Sequence, residues 1–316
     1  MENTSSIPLL KFPKNVALHI LRTCGIREIF AISTLSNRSK ALATSANIRA
    51  TNIRVFIDSS IEFDIEHLSE TLLLGFYDTI DNSHPINPKI VLDIPDEVWV
   101  SNTETEQWDN WKTSGKTIKD WSSHICQVFD WPSPGNENFP SFGSLSIAAD
   151  VPNYSSMVLM NSFLLKVESL VLSRNPFENR LHLHKILIQN LNHLNYGRFE
   201  DQTFLNLNDL LMSNMQFLIA SGDSLPEKHV NRFLKLWMNG MKTNLSMFHF
   251  AYPEDRIVDE SQVLKGIKAQ KVADDVERRI KYRTITGGWE IHGKNGKRAT
   301  IAFIDGCVIR FMVWND

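Results

Sequence analysis

The chain has 316 residues, of which 42% are hydrophobic and 22% are charged, and its formal net charge is −3. This balance is typical of one or two globular domains and excludes a chain that is disordered throughout. The small net charge provides no general attraction to nucleic acids or anionic membranes, and no long apolar stretch predicts a membrane span. Neither class of partner is therefore expected.

The cysteines lie far apart and form no CxxC pair: Cys24, Cys126 and Cys307. They predict no disulfide framework, and no apolar leader follows Met1. A reducing setting in the cytoplasm or nucleus is therefore expected.

Residues 7–50 have the pattern of three short helices. Pro13 suits the start of a helix, and apolar residues follow at helical spacing on one face: Ala17, Ile20, Leu21 and Cys24. Gly25 is expected to end this helix. A second helix then carries Ile26, Ile29 and Phe30, and a third runs from about Leu35 to Ala46. A unit this small buries little core, so it is expected to need a partner surface.

Several short motifs in these helices resemble the F-box: Phe12-Pro13, Ile20-Leu21, and Leu35-Ser36 followed by Arg38 and Lys40. The resemblance implies that residues 7–50 dock on a Skp-family adaptor, and through it on a cullin-based ubiquitin ligase. The docking residues that it implies are Leu10, Phe12, Pro13, Ile20, Leu21, Leu35 and Ser36.

The match to the F-box pattern has three departures. Phe12 replaces the usual leucine, Asn15 the usual glutamate, and Ser39 the usual tryptophan. One alternative is an ordinary helical hairpin within a larger core. Another is a scaffold, or a protein-binding module, with an F-box that no longer docks the adaptor.

A second domain is predicted from residue 51 onward. It opens with a strand over Asn52–Asp58, in which Ile53, Val55 and Ile57 share one face. Between Val55 and Asn110, thirteen acidic residues stand against the single basic Lys89. A solvated face that keeps the protein soluble is the simpler interpretation, and a patch for basic substrates is the alternative.

Five of the eight tryptophans fall in one stretch: Trp99, Trp108, Trp111, Trp121 and Trp131. An amphipathic helix is predicted to follow Thr117, which is its N-cap, with Asp120 completing a capping box. Trp121 lies on the apolar face of this helix and is expected in the core. Trp108 and Trp111 stand in a polar stretch and are candidates for exposed interface anchors.

Four short apolar segments suggest a repeated strand with an L-x-x-L-x-L theme: Val167–Asn175, Leu183–Asn190, Leu207–Asn214 and Leu245–Phe250. The anchors Leu170, Ile186, Leu210 and Phe248 are 16, 24 and 38 residues apart. This irregular period predicts a degenerate leucine-rich-repeat-like array. Between the last two segments, Ser224 or Asp223 is expected to cap a helix that starts at Pro226 and ends at Gly240.

The carboxyl-terminal end predicts a helix near Ser261–Lys268, a charged helical segment near Asp274–Tyr282, and a β-meander. The meander hairpins turn at Asn295-Gly296 and Asp305-Gly306. From Lys265 to Arg298 there are ten basic residues against four acidic ones. This segment could favour phosphate backbones, but an acidic partner or the chain's own acidic region explains it equally well.

These later segments resemble the type 2 F-box-associated domain. The similarity is carried by Thr117–Phe129, Val230–Trp237, Gly240, Asn244-Leu245, Leu264–Ile267 and Val313-Trp314. It implies that residues 51–316 recognise a target protein. The predicted fold is α/β (α+β overall): a small three-helix F-box, then an irregular leucine-rich-repeat-like β/α domain that ends in a β-meander.

Sequence motifs for catalysis are missing, and no enzyme activity, cofactor or metal is expected. Ser114–Thr117 ends like a phosphate-binding loop but lacks the upstream glycine. His182 and His184 could share one face of a strand edge, where a third ligand would be needed for a metal. Asp93, Asp96 and Glu97 surround Pro95 and are expected to form a turn. The predicted function is therefore substrate recognition for a Skp–cullin–F-box ligase.

Overall fold

The computed structural model describes residues 9–57, 60–77, 94–95, 97–102, 108–111, 115–131, 142–147, 167–173, 180–196, 205–241, 243–280, 283–294 and 296–314. The chain forms two compact units, the first being Met1–Ser146 with Asp150–Val167 and the second being Ile147–Ala149 with Glu168–Asp316. The described residues form a mixed α/β protein, and the division at residue 51 stays a prediction.

The first unit begins with a short 3₁₀ turn, Leu9–Lys11, and three helices: α1 Lys14–Leu21, α2 Ile26–Thr34 and α3 Asn37–Ser45. The three predicted helices are confirmed, although their limits differ. Pro13 precedes α1 as its N-cap, and Gly25 starts α2 as its N-cap. Because α1 ends at Leu21, Cys24 does not lie on its buried face.

The sheet of the first unit contains β1 Asn52–Ile57, β2 Ile61–His67, β3 Glu70–Tyr77, β4 Glu97–Asn102, β5 Asp109–Trp111 and β6 Phe142–Ile147. Its strand order is β6-β1-β2-β3-β4-β5. Strands β1 to β5 pair antiparallel with their neighbours. The predicted inward face of β1 is confirmed, since Ile53, Val55 and Ile57 are all buried.

Helix α4, Ile118–Val128, covers the core of this unit. Thr117 and Asp120 form the predicted capping box at its start. Trp121 is buried, as its helical spacing predicted, and its ring lies 6.2 Å from that of Phe30 on α2. Phe129, directly after the helix, stacks on Phe30 at 6.0 Å. Helix α2 is thus anchored to α4 through aromatic rings.

The second unit alternates strands and helices: β7 Val167–Leu172, α5 Arg180–Leu187, β8 His193–Tyr196, α6 Leu207–Met212, β9 Phe217–Ser221, α7 Glu227–Met238 and β10 Met247–Ala251. The four strands are parallel to one another. Leu170, Leu194, Leu218 and Phe248 occupy matching, fully buried positions. These positions are 24, 24 and 30 residues apart, so the repeat is more regular than predicted.

Two of the four predicted strands are wrong. Leu183–Asn190 overlaps helix α5 and Leu207–Asn214 overlaps helix α6, whereas the actual strands β8 and β9 begin several residues later. In α5 the buried residues are Leu183, Ile186 and Leu187, which is the spacing of one helix face. The prediction of strands at Val167 and near Leu245 is confirmed, and the leucine-rich-repeat-like detail stays a prediction.

The predicted helix before β10 is confirmed as α7, with Val230, Phe233, Leu234 and Trp237 buried on one face. Pro226 is its N-cap, and no side chain caps the helix. The predicted capping by Ser224 or Asp223 is therefore wrong. The hydroxyl of Ser224 donates to the carbonyl of Leu205.

The carboxyl-terminal region contains α8 Glu260–Leu264 and an antiparallel meander, β11 Gln270–Ile280, β12 Arg283–His292, β13 Arg298–Ile304 and β14 Val308–Trp314. The sheet of this unit runs β11-β12-β13-β14-β10-β9-β8-β7. The meander is confirmed, and Asp305 and Gly306 have the positive φ angles that the last hairpin needs. The predicted charged helix at Asp274–Tyr282 is wrong, because strand β11 occupies that position.

Candidate functional site

Three exposed apolar side chains lie at or beside the amino-terminal helices, although others, such as Leu68 and Ile257, lie elsewhere in the chain. Leu35, which follows α2, is 77% exposed, and Phe12, which precedes α1, is 41% exposed. Val16, in the first turn of α1, is also exposed. Sequence reasoning named Phe12 and Leu35 but missed Val16, which belongs neither to the apolar face of Ala17, Ile20 and Leu21 nor to the motifs of the resemblance. Singly exposed apolar side chains are common, but Phe12 also lines an apolar groove, and a groove of this kind favours a partner surface.

A groove of about 230 Å³ lies beside these helices. Its apolar lining includes Leu9, Leu10, Phe12, Ala17 and Leu42, and Lys14 and Arg38 add positive charge. The guanidinium of Arg38 donates to the carbonyl of Leu10 at 3.3 Å, which ties α3 to the 3₁₀ turn. The structure therefore brings two of the predicted docking residues, Leu10 and Phe12, together in one apolar groove with a basic rim.

Two other predicted docking residues are less accessible. Leu21 is 0% exposed and packs with Ala17, Leu42 and Ala46 in the core of the helices. Ile20 is half-buried. Leu21 can therefore affect docking only by holding the helices together, while Pro13 remains exposed at the start of α1.

Ser36 has a structural role at the start of α3. Its hydroxyl accepts from the backbone N–H of Ser39 at 3.1 Å and is the N-cap of the helix. Ser39 is buried, and its hydroxyl donates to the carbonyl of Ser36 at 2.9 Å. This local bonding explains a serine at position 36 without any partner.

Two lysines on and near α3, Lys40 and Lys116, have lowered pKa values. Burial, and then the nearby charge of Lys116, lowers the pKa of the Lys40 ammonium below its usual value. Burial likewise lowers the pKa of Lys116. Lys116 also lies over the ring of Trp121, 4.7 Å from its centre. The side chain of Lys40 is thus half-buried within the first unit, whereas the exposed side chain of Arg38 lines the groove.

The two tryptophans proposed as exposed anchors differ from each other. Trp108 is 42% exposed, in agreement with that prediction. Trp111 is half-buried, and its ring stacks on Phe30 at 6.1 Å. Trp111 therefore contributes to the core contact of α2, and only Trp108 is available to a partner.

The second unit has a larger groove, of about 760 Å³, where β9 and β10 begin. Ile188, Met212 and Met241 contribute apolar lining, and Asn214 and Asn244 contribute amide groups. The hydroxyl of Ser213, in the same lining, is buried without a hydrogen bond among the described residues. Lys297 adds a positive charge to the lining, and the volume of the groove is sufficient for a peptide segment.

The predicted histidine pair does not form on a strand edge. His182 and His184 lie on helix α5, where residues two apart point to different sides. His184 bonds through Nε2 to the buried carboxylate of Asp209 at 2.9 Å. Within the described ranges, no group of three metal-ligating side chains lies together. Of the predicted acidic turn, Asp93 and Asp96 lie outside the described residues.

Comparison with known proteins gives two matches. Residues 182–250, from α5 to β10, match the family model described as F-box associated. The predicted resemblance to F-box-associated proteins is confirmed. The F-box associated domain-containing protein sdz-33 of Caenorhabditis elegans is 23% identical over 330 positions, which cover 94% of this chain and 94% of the relative. No solved structure matches.

The F-box-associated match covers three of the four parallel strands of the second unit, β8, β9 and β10, but not β7. The similarity to the nematode relative extends over 94% of the chain. In the described part of the chain, none of the helices is long and apolar enough to cross a membrane.

Proposed function

We propose that this protein is the substrate-recognition subunit of a Skp–cullin–F-box ubiquitin ligase. In this proposal, the helices α1 to α3 dock on a Skp-family adaptor and the second unit holds a target protein. The observation that carries the proposal is the exposed apolar surface of Phe12, Val16 and Leu35 in a chain that also matches the F-box-associated family. A non-enzymatic role and a cytoplasmic or nuclear location are part of the proposal.

The mechanism is proximity. A target held by the second unit and a ubiquitin-charged enzyme held through the adaptor have a high effective concentration for each other. The chain itself then needs no catalytic group. The buried aromatic contacts of Phe30 support this role, because they hold α2 rigidly on the first unit.

Co-purification of the full chain with a Skp-family adaptor tests the proposal. We expect the wild-type chain to capture the adaptor and the Phe12→Asp and Leu35→Asp variants to lose at least about tenfold in affinity, because a charge would enter an apolar contact. Both side chains are exposed, so neither change should unfold the helices.

Ile257→Asp is the matched control. Ile257 is 83% exposed and lies in the second unit, so the same substitution should leave adaptor capture unchanged. Equal capture by the wild type, Phe12→Asp and Leu35→Asp would contradict the docking surface. Removal of residues 1–50 is a poorer test, since it would uncover the rings that pack on Phe30.

A second candidate is a protein-binding module with an F-box that no longer docks. Ser39 favours this candidate, because it stands where the F-box pattern has tryptophan and is buried in a bond with Ser36. A large aromatic contact is therefore missing from position 39. Failure of a folded wild-type chain to capture any Skp-family adaptor would support this alternative.

A further inference from the structure

The sheet of the second unit has two different faces. Phe248 and Phe311 point to helix α7, where their rings lie 6.4 Å and 5.7 Å from that of Phe233. Because side chains alternate along a strand, His249 and Arg310 point to the opposite face. These two residues are direct partners across β10 and β14.

Arg310 is a half-buried cation on this opposite face. Its Nε donates to Nδ1 of His249 at 3.2 Å, and its Nη1 donates to the carbonyl of Thr284 at 2.7 Å. Both acceptors are neutral groups. Arg283, next to Thr284 in the chain, adds a second positive charge, and this charge, together with the larger effect of burial, lowers the pKa of Arg310.

These arginines differ from others in the second unit. Arg278 forms an ion pair with Glu290 at 2.7 Å, and Arg256 forms one with Glu227 at 2.9 Å. Among the described residues, no carboxylate pairs with Arg310 or Arg283. A half-buried guanidinium without a counter-ion is costly, because its charge has lost part of its hydration.

His249 supplies a neutral donor beside Arg310. Its Nδ1 accepts from Arg310, so the proton of the neutral ring is on Nε2. Burial, followed by the charges of Arg310 and Arg283, lowers the pKa of His249 to about 4, which keeps the ring neutral at physiological pH. No described residue accepts a hydrogen bond from Nε2, so this donor is available to a ligand.

The neighbouring strands continue this row of side chains. In register with His249 are Ile219 on β9 and, beyond it, Asn195 on β8, both half-buried. Ile219 packs in part against a buried cluster that includes Met247 and Met312. The row therefore offers a partly open apolar contact and an amide contact beside the two arginines. Such a surface suits an extended segment, in which alternate side chains face the sheet.

We propose that this face binds an acidic segment of the target protein, with a glutamate or aspartate carboxylate seated between Arg310, Arg283 and His249. The carboxylate accepts from the unused Nη2 group of Arg310 and from Nε2 of His249, and Arg283 provides charge at the rim. The inference rests on the proposed role of the second unit in target binding, but does not depend on adaptor docking.

A carboxylate fits the site better than a phosphate. The site has one half-buried guanidinium with two of its nitrogen donors already used, and Arg283 is exposed to solvent. A single negative charge is therefore matched at the buried position, whereas a doubly charged phosphate normally requires more donors.

Fluorescence anisotropy with labelled peptides and the full chain tests the inference. The probe is a fluorescein-labelled peptide of about ten residues in which glutamate alternates with serine, so that all carboxylates face one side of a strand. Its control has glutamine at every glutamate. We expect only the glutamate peptide to bind, and to bind more weakly as salt is raised.

Variants then locate the binding. Arg310→Gln and Arg283→Gln should each lower the affinity for the glutamate peptide by about tenfold, because each removes one charge-assisted contact. Arg283 is exposed, so its variant keeps the test informative if Arg310→Gln disturbs the sheet. Lys271→Gln removes an equal charge from an exposed position on β11 and should bind like the wild type.

Equal binding of the glutamate and glutamine peptides, or equal binding by the wild type, Arg310→Gln and Arg283→Gln, would overturn the inference. Binding of a phosphoserine version of the peptide without binding of the glutamate version would also overturn it. Each of these results could occur with adaptor capture intact, so failure here is distinguishable from failure of the docking proposal.

Discussion

Ser33 Oγ and His124 Nε2 lie 2.7 Å apart and join α2 to α4 inside the first unit. The hydroxyl of Ser33 donates to the carbonyl of Phe30 at 2.6 Å, so its single proton is already used. His124 must therefore donate from Nε2, which fixes a neutral ring with its proton on that nitrogen. Both side chains are buried. The bond fixes the orientation of the His124 ring, which packs edge-on against the ring of Phe30.

We expect the first unit to lose stability in mild acid because of His124. Burial, followed by the charges of Lys40 and Lys116, lowers its pKa from 6.5 to about 3. As the pH falls, His124 of the unfolded chain is therefore protonated at a higher pH than His124 of the folded chain. The contribution of the neutral His124 to the free energy of unfolding is complete above pH 6.5. It falls as the pH drops towards 3, by up to about 1.4 kcal/mol per pH unit. Urea unfolding at a series of pH values measures this slope.

The matched variant is His124→Gln, whose amide can still donate to Ser33 but does not titrate. Its free energy of unfolding should depend less on pH, by about 1.4 kcal/mol per unit between pH 6 and 4. His249, with its pKa lowered to about 4 by burial and by Arg310 and Arg283, contributes a similar slope to both proteins. Identical slopes in the two proteins would show that His124 is not the sensitive group.

A second prediction separates packing from docking in the amino-terminal helices. Leu21→Ala should destabilise them by about 2–5 kcal/mol, because the side chain is fully buried. Leu35→Ala should change stability by less than about 0.5 kcal/mol, because the side chain is exposed. Hydrogen exchange over residues 14–45 measures both. Faster exchange in Leu35→Ala would indicate that Leu35 packs against the protein.

The same two residues show what sequence could predict about the docking surface. The motif identified Leu21 and Leu35 equally, since both are leucines of a short helical pattern. Only the packing of α1 on α3 distinguishes the buried one from the exposed one. The cation pair of Arg310 and Arg283 was beyond sequence reasoning for a similar reason, because the contact depends on how β12 meets β14 across the sheet.

Local signals predicted some elements of the fold well and others poorly. Helices α4 and α7 were predicted because their apolar spacing holds over three turns, and at α4 the capping box of Thr117 and Asp120 agrees with it. Strand β8 has four residues and too little alternation to be recognised. Strand β11 is rich in charged residues that suit a helix, and its pairing with β12 overrides that preference. The capping box of Asn206 and Asp209 was present in the sequence and could have identified α6.

A third prediction concerns Asp209, a fully buried carboxylate between α5 and α6. It accepts from Arg180 at 2.9 Å, from Nε2 of His184 at 2.9 Å and from the backbone N–H of Asn206 at 2.6 Å. Asp209→Ala should cost about 3–5 kcal/mol, because it leaves these donors without an acceptor. Asp209→Asn keeps one acceptor oxygen and should cost less. Urea unfolding compares the two variants, and equal losses would argue against the hydrogen bonds as the cause.

A ladder of asparagine side chains joins successive repeats of the second unit. The amide of Asn214 donates to Oδ1 of Asn190, and the amide of Asn244 donates to Oδ1 of Asn214 at 2.5 Å. The three residues are 24 and 30 residues apart, the same intervals that separate Leu194, Leu218 and Phe248. Each amide thus fixes one repeat against the next at the point where a strand begins.

Asn214→Ala should therefore destabilise the second unit by about 1–3 kcal/mol, because it removes both rungs of the ladder. Strand β9 starts three residues later, and its amides should exchange with solvent about ten times faster for each 1.4 kcal/mol lost. Asn208→Ala is the control, since Asn208 is an exposed residue in the first turn of α6 and its side chain forms no hydrogen bond among the described residues. If both variants exchanged at the same rate, the ladder would contribute nothing, and the regular spacing of the repeats would depend on the apolar core alone.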